Sequence, residues 1–161
     1  MDEAKCILLA LTTTGKTLAT AESCTGGLLG KLLTDIPGAS NAYLGGVISY
    51  AYQVKETLLG IDPALLEQKG AVCAEVASRM AEGVRIRLGA DYGVSVTGNA
   101  GPSADPKNPN VGEIYIACAD KMKTLCACLS LSGSRDENRF QACKEVLLLL
   151  RRMHEENTGT K

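Results

Sequence analysis

Thr20-Ala21-Glu22-Ser23-Cys24-Thr25-Gly26-Gly27 carries the turn on which the architecture of this chain depends. A short β-prone segment, Thr17 to Ala21, runs into it, and an apolar run, Leu28 to Leu33, leaves it as a helix. Two adjacent glycines let the backbone turn sharply and approach a ligand closely. A strand passing through such a turn into a helix opens an α/β unit, and the turn lies where α/β proteins place ligands.

On either side of this turn, Ala4 to Thr13 reads as a first helix ended by Gly15, and Pro37-Gly38 breaks the chain before a strand from Tyr43 to Tyr50. A helix opens near Tyr52, carries Lys55, Leu58 and Leu59, and stops at Gly60. Asp62-Pro63 suits a helix start, with aspartate as cap and proline at the first position, and that helix ends at Gly70. Val72, Val76, Met80, Val84 and Leu88 recur every four residues on one face, with Gly89 at the C′ position. Tyr92 to Val96 reads as a buried strand leading into Thr97-Gly98-Asn99-Ala100-Gly101-Pro102, then a loop with Pro106 and Pro109. Strands Glu113 to Cys118 and Leu125 to Leu131 form a hairpin across Asp120 to Lys123. Ser134 and Glu137 make a capping-box pattern opening a last helix through Phe140, Cys143, Leu147 and Leu150 towards Met153, with a frayed tail from Glu155 to Lys161. Strands alternating with helices predict a three-layer α/β sandwich, in one domain over residues 1–161.

Of 161 residues, 45 % are hydrophobic and 22 % charged, with a formal net charge of −1. That is the balance of a globular chain with a real core. It offers no basic excess for broad nucleic-acid binding. No apolar run approaches the ~20 residues that span a bilayer, and Met1-Asp2-Glu3-Ala4-Lys5 lacks the pattern of a secretory signal. The expected location is the cytoplasm. Seven cysteines without a C-x-x-C pair, and one histidine, argue against zinc. They read as reduced thiols serving mostly as small apolar residues, apart from Cys24, which stands beside Ser23.

A serine in this turn suits acyl transfer, because its hydroxyl sits at the strand end and the amides that follow, in Cys24, Thr25 and Gly26, can hold an oxyanion. The alternative reading is an ordinary Ser/Thr-rich helix cap. A nucleophilic serine needs a base, and His154 lies beyond Leu150 in a long helix, which disfavours a Ser-His-Asp triad. Lys55, in a first helical turn, faces a positive dipole end that disfavours its charge, and burial acts in the same direction. Its alternative is a solvated surface lysine. Arg135 and Arg139, one turn apart at a helix start, are electrostatically misplaced unless an anion joins them or Asp136 and Glu137 neutralise them. Thr97-Gly98 and the residues after it could wall the same pocket or form a plain turn. Cys24 is a second candidate nucleophile, though only a helix N-terminus would activate it.

These segments together resemble the C-terminal domain of the CinA family, including its stand-alone nicotinamide-nucleotide amidohydrolases. The resemblance is carried by Thr20 to Gly27, then Asp35-Ile36-Pro37-Gly38-Ala39-Ser40, Ser49-Tyr50 with Lys55, and Leu59-Gly60-Ile61. Gly70-Ala71-Val72, Thr97-Gly98 with Ala100-Gly101-Pro102, Val111-Gly112, and Gly133 with Arg135 and Arg139 follow in order. It implies an α/β/α sandwich with a mixed, mainly parallel sheet. It further implies deamidation of nicotinamide mononucleotide to nicotinic acid mononucleotide and ammonia, without metal or organic cofactor. By that resemblance Ser23 is the nucleophile, Lys55 the base and Tyr50 an orienting neighbour. Gly38, Ser40 and Thr97 line the pocket or oxyanion site, and Arg135, with Arg139 as second choice, meets the substrate anion. A homo-oligomer, as a dimer, is also implied, as is the alternative of a non-catalytic nucleotide-binding or regulatory module. The chain departs from the family pattern at Ala51-Tyr52, where Ser-Asn is usual, at Asn99, usually aliphatic, and at Ser103 to Asn110, which lacks Asp-Gly-Gly.

Overall fold

The computed structural model describes residues 2–159. In chain order the elements are α1 (Asp2–Thr14), β1 (Leu18–Glu22), α2 (Leu28–Thr34), a single 3₁₀ turn (Ala39–Asn41), β2 (Tyr43–Ile48), α3 (Tyr52–Leu59) and α4 (Pro63–Lys69). They continue with α5 (Ala74–Leu88), β3 (Tyr92–Gly98), β4 (Glu113–Ala119), β5 (Thr124–Ser130) and α6 (Arg135–Thr158). The five strands form one sheet in the order β2-β1-β3-β4-β5. β1 pairs parallel with β2 and β3, while β3-β4 and β4-β5 are antiparallel. The mixed three-layer sandwich expected from the sequence is the fold observed.

Two apolar layers sandwich the sheet. On one side Ile7 and Leu11 of α1, Leu29 and Leu33 of α2, and Val146 and Leu150 of α6 bury against Leu18, Val94 and Ile116. On the other, Val76, Met80 and Val84 of α5 join Leu59 and Leu66 over Ala19 and Ala21. The sheet face under α5 is built from small side chains, and the helix settles close to it. Ser95 Oγ donates to Ala77 O at 2.6 Å, and a Cβ added to Gly93 would lie 2.1 Å from Ala81 O.

A second close approach fixes the helix that carries Lys55. A Cβ at Gly83 of α5 would meet Leu59 O of α3 at 2.2 Å. Gly83→Ala is therefore expected to cost about 1–3 kcal/mol by overpacking, measured by urea unfolding, and to lower any Lys55-dependent activity as α3 is pushed away.

Several boundaries differ from the sequence reading. β2 ends at Ile48, not Tyr50, because its partner β1 ends at Glu22, whose carbonyl accepts from Ser49 N at 2.7 Å, and the next carbonyls face Lys55. β3 runs two residues past Val96, since β4 pairs with Thr97 and Gly98. Val72 precedes α5 and Leu88 is partly exposed, so Val76, Met80 and Val84 carry its buried stripe. The tail expected to fray is helical through Thr158. Asn157 Nδ2 donates to Asp120 Oδ2 at 2.8 Å and to Tyr92 OH at 3.3 Å, and Tyr92 OH lies 3.2 Å from His154 Nδ1. Residues 160–161 of that tail lie outside the described residues. Of the cysteines, Cys24, Cys118 and Cys143 are buried, but Cys6, Cys126 and Cys128 are exposed and Cys73 is half-buried, so fewer serve as core residues than expected.

Candidate active site

β1 is the central parallel strand and is buried along its whole length. It delivers Ser23 to the carboxyl end of the sheet, where Ser23 N donates to Val96 O at 3.0 Å. The turn closes with Gly26 N donating to Ser23 O at 3.1 Å, and Gly26 and Gly27 take φ values of 57° and 101°. These left-handed angles are the reason the position calls for glycine. Glu22, 2 % exposed, has a role the sequence reading did not assign. Its carboxylate accepts from the amides of Gly27 (2.9 Å), Leu29 (3.1 Å) and Gly30 (2.8 Å), capping α2 from inside the fold.

That cap, with the turn, leaves two of the three amides named from the sequence unengaged by other residues. The amides of Gly27, Leu29 and Gly30 belong to Glu22, Leu28 N donates to Thr25 O and Gly26 N is used by the turn, whereas among the described residues Cys24 N and Thr25 N donate to no other residue. These two amides sit in the turn, one and two residues after Ser23, and of the two residues Cys24 lines the cavity. Replacing Glu22 by glutamine removes the charge that holds three amides, and is expected to cost about 1–2 kcal/mol in urea unfolding.

Lys55, on the first turn of α3, is fully buried. Its Nζ donates to Ser23 Oγ at 2.9 Å, to Ser49 O at shorter range, and to Tyr50 O at 3.3 Å. As the neutral amine, the same atom keeps two N–H groups on the two carbonyls and turns its lone pair to the Ser23 hydroxyl. Burial pulls the Lys55 pKa down to about 8, against the opposing pull of Cys24 and Asp105. Burial acts the other way on Cys24, pushing its thiol up to about 11. The serine thus has a base within reach, while its cysteine neighbour is held as a thiol.

A cavity of about 230 Å³ opens over this pair, lined by Ser23, Cys24, Tyr50, Tyr52, Thr97, Gly98, Asn99, Asp105 and Arg135 among others. Arg135 Nη1 donates to Gly101 O at 2.7 Å, and Nη2 lies 3.4 Å from Tyr50 OH. Thr97 is buried with its hydroxyl on Ala71 O at 2.9 Å, and Gly98 has no room for a side chain, a Cβ there falling 2.5 Å from Ile114 Cα. Asn138, also missed from sequence, holds this rim: its Nδ2 donates to Ala100 O at 3.1 Å and to Gly133 O at 3.0 Å.

Other sequence candidates fall elsewhere. Arg139 does not line the cavity; its Nη2 donates to Thr25 O at 2.7 Å and its Nη1 pairs with Asp136 at 3.4 Å, so it braces the turn beneath Ser23. Thr25 is buried there, with its hydroxyl unpartnered. Gly38 and Ser40 are not brought to the cavity. Gly38 caps and Ser40 lies within the 3₁₀ turn before Tyr43, and Tyr43 pairs with Leu18, the far end of β1 from Ser23. Gly38 instead borders a separate hollow with Leu8, Thr12 and Asn41. His154 lies at that far end too, packed edge-on against Tyr92. Among the described residues no cluster of His, Cys, Asp or Glu could hold a metal ion, and no helix is long and apolar enough to cross a membrane.

The sequence pattern of the CinA C-terminal domain matches residues 2–154. The chain belongs to the CinA C-terminal domain family. A CinA-like protein of Frankia casuarinae is 49 % identical over 137 residues, covering 85 % of this chain and 31 % of that protein. A CinA-like protein of Myxococcus xanthus is 42 % identical over 146 residues, covering 90 % of this chain and 35 % of its own length. The chain thus spans about a third of the curated CinA-like relatives it matches. Among solved structures, the CinA superfamily protein of Escherichia coli superposes with a TM-score of 0.91 at 27 % identity, covering 94 % of this chain and 88 % of that one. The competence/damage inducible protein CihA of Agrobacterium tumefaciens gives 0.89 at 32 %, covering 94 % and 93 %.

Proposed function

We propose that this chain is a serine–lysine amidohydrolase that converts nicotinamide mononucleotide to nicotinic acid mononucleotide and ammonia. The observation that carries the reading is the contact of 2.9 Å between Ser23 Oγ and a fully buried Lys55 whose pKa is drawn down to about 8. A lysine so placed is available as a neutral base near physiological pH.

Neutral Lys55 takes the Ser23 proton as Oγ attacks the carboxamide carbon. The amides of Cys24 and Thr25 receive the oxyanion, a contribution of about 3 kcal/mol per well-aimed donor. Protonated Lys55 passes its proton to the leaving nitrogen, ammonia departs, and an acyl-serine remains. Water then attacks the ester with Lys55 again as base, releasing the acid and restoring Ser23. The phosphate meets Arg135 and supplies orientation away from the reacting bond. Tyr50 acts through its carbonyl on Lys55 and its hydroxyl beside Arg135. The reading carries with it one amidohydrolase domain over residues 1–161, cytoplasmic and working as a homodimer without nucleic-acid or membrane partners.

The test is ammonia release from nicotinamide mononucleotide by the purified protein, with Arg135→Gln beside it. Release is expected, and the variant should raise KM about tenfold or more with kcat little changed, since it loses binding shared by ground and transition states. A second reading, a non-catalytic nucleotide-binding module, is favoured by the chain's match to about a third of a longer relative from Caldanaerobacter subterraneus named a putative competence-damage inducible protein. Thermal stabilisation by the nucleotide with no ammonia formed would select that reading.

A further inference from the structure

The cavity over Ser23 is lined by one cationic and one anionic side chain, Arg135 and Asp105. Neither forms an ion pair with any described residue, so the two charges are not spent on each other. Asp105 is also fixed in place. Its Oδ2 accepts from Tyr52 OH at 3.0 Å, its Oδ1 from Lys107 N at 2.8 Å, and its own amide donates to Asn99 Oδ1 at 2.8 Å. Asn99, 5 % exposed, ties the rest of the loop by donating to Asn108 O at 2.8 Å and Asn110 O at 3.0 Å. Tyr52 stands on α3, three residues before Lys55. Beneath the carboxylate lies Gly70, where a Cβ would come within 2.8 Å of Asp105 Oδ1. Tyr52, Asn99 and the loop from Ser103 to Asn110 are therefore one bonded assembly whose product is a carboxylate at the cavity wall.

We propose that Asp105, positioned by Tyr52 and Asn99, determines specificity in this pocket by selecting ligands that carry a positive charge on the ring bearing the amide, with their anionic end on Arg135. A carboxylate at the wall attracts a cationic ring and repels a phosphate, so the two charged residues give a zwitterionic ligand one orientation. An uncharged ring of the same shape gains nothing from Asp105. The inference rests on the Ser23 cavity being the ligand site, as proposed above, and does not require turnover.

The experiment measures binding by calorimetry to Ser23→Ala protein, which cannot turn over. The probes are nicotinamide mononucleotide, with its pyridinium ring, and its 1,4-dihydro form, whose ring is neutral. The cationic ring should bind about tenfold or more tightly, and adding Asp105→Asn should abolish most of that preference while changing the neutral probe's affinity by less than about threefold. Tyr52→Phe, which keeps the charge and removes only its hydrogen bond, should retain a preference for the cationic ring. Equal affinities in the Ser23→Ala protein, an equal loss of both ligands in the Asp105 variant, or no binding of either probe would overturn the proposal. A charge preference in a protein that releases no ammonia would leave it standing and would sink the amidohydrolase reading alone.

Discussion

Under the proposed mechanism, Ser23→Ala is expected to lower ammonia release by about four orders of magnitude, while Cys24→Ala, one residue on, is expected to keep most of the activity. The first loss follows from removing the atom that forms the covalent bond, which leaves only binding and oxyanion stabilisation. The second result follows from burial. A thiol pushed up to about 11 is protonated at neutral pH and is a poor nucleophile. Both variants should unfold in urea close to the parent, because each change is small. Steady-state ammonia release from the three proteins checks the pair, and activity that survived in Ser23→Ala but vanished in Cys24→Ala would reverse the assignment.

Lys55→Met moves activity and stability in opposite directions. Loss of the base should lower kcat by about a thousandfold. Stability should rise, because a lysine held at about 8 instead of 10.5 makes the folded state pay for its charge. The sign follows from linkage. Below about pH 8 the amine is protonated in both folded and unfolded chains, and the full penalty, about 3 kcal/mol at most, falls on the folded state. Between pH 8 and 10.5 the unfolded chain binds more protons, so parent stability rises with pH through that window and the penalty fades. Lys55→Met is expected to be more stable than the parent by about 1–3 kcal/mol at pH 7, with the gap closing towards pH 10.5. Urea unfolding at several pH values reads this directly.

The layout of the fold was largely legible in the sequence because its punctuation is local. Gly60 and Gly89, both with φ near 65°, end helices where expected, and Asp62 Oδ1 accepts from Ala64 N at 2.9 Å as a cap should. Ser134 and Glu137 form the capping box that their spacing suggests. What stayed hidden depends on which way side chains turn once the layers pack. Nothing local marks Glu22 as a buried cap for α2, since a glutamate beside a serine-rich turn reads equally well as solvated. Asn138 gives no signal at all, because its partners Ala100 and Gly133 meet only after β3 and α6 pack. Ala51-Tyr52, Asn99 and the segment from Ser103 to Asn110 stand singly in the sequence; only the folded chain joins Tyr52 and Asn99 through Asp105. In the opposite sense, Gly38 and Ser40 were attached to the site by resemblance alone, and the parallel pairing of Tyr43 with Leu18 places them at the other end of the sheet. Arg135 and Arg139 look equivalent in sequence, yet one turn of helix puts the first on the cavity and the second beneath it.

The most direct test of Ser23 activated by a neutral Lys55 is to titrate that amine. NMR of protein carrying isotope-labelled lysine, assigned with Lys55→Met, should show its ε-carbon titrating near pH 8, and kcat/KM for ammonia release should rise through the same pH to a plateau. A Lys55 that stays protonated to about 10.5, or a rate with no limb near pH 8, would contradict the lysine as general base.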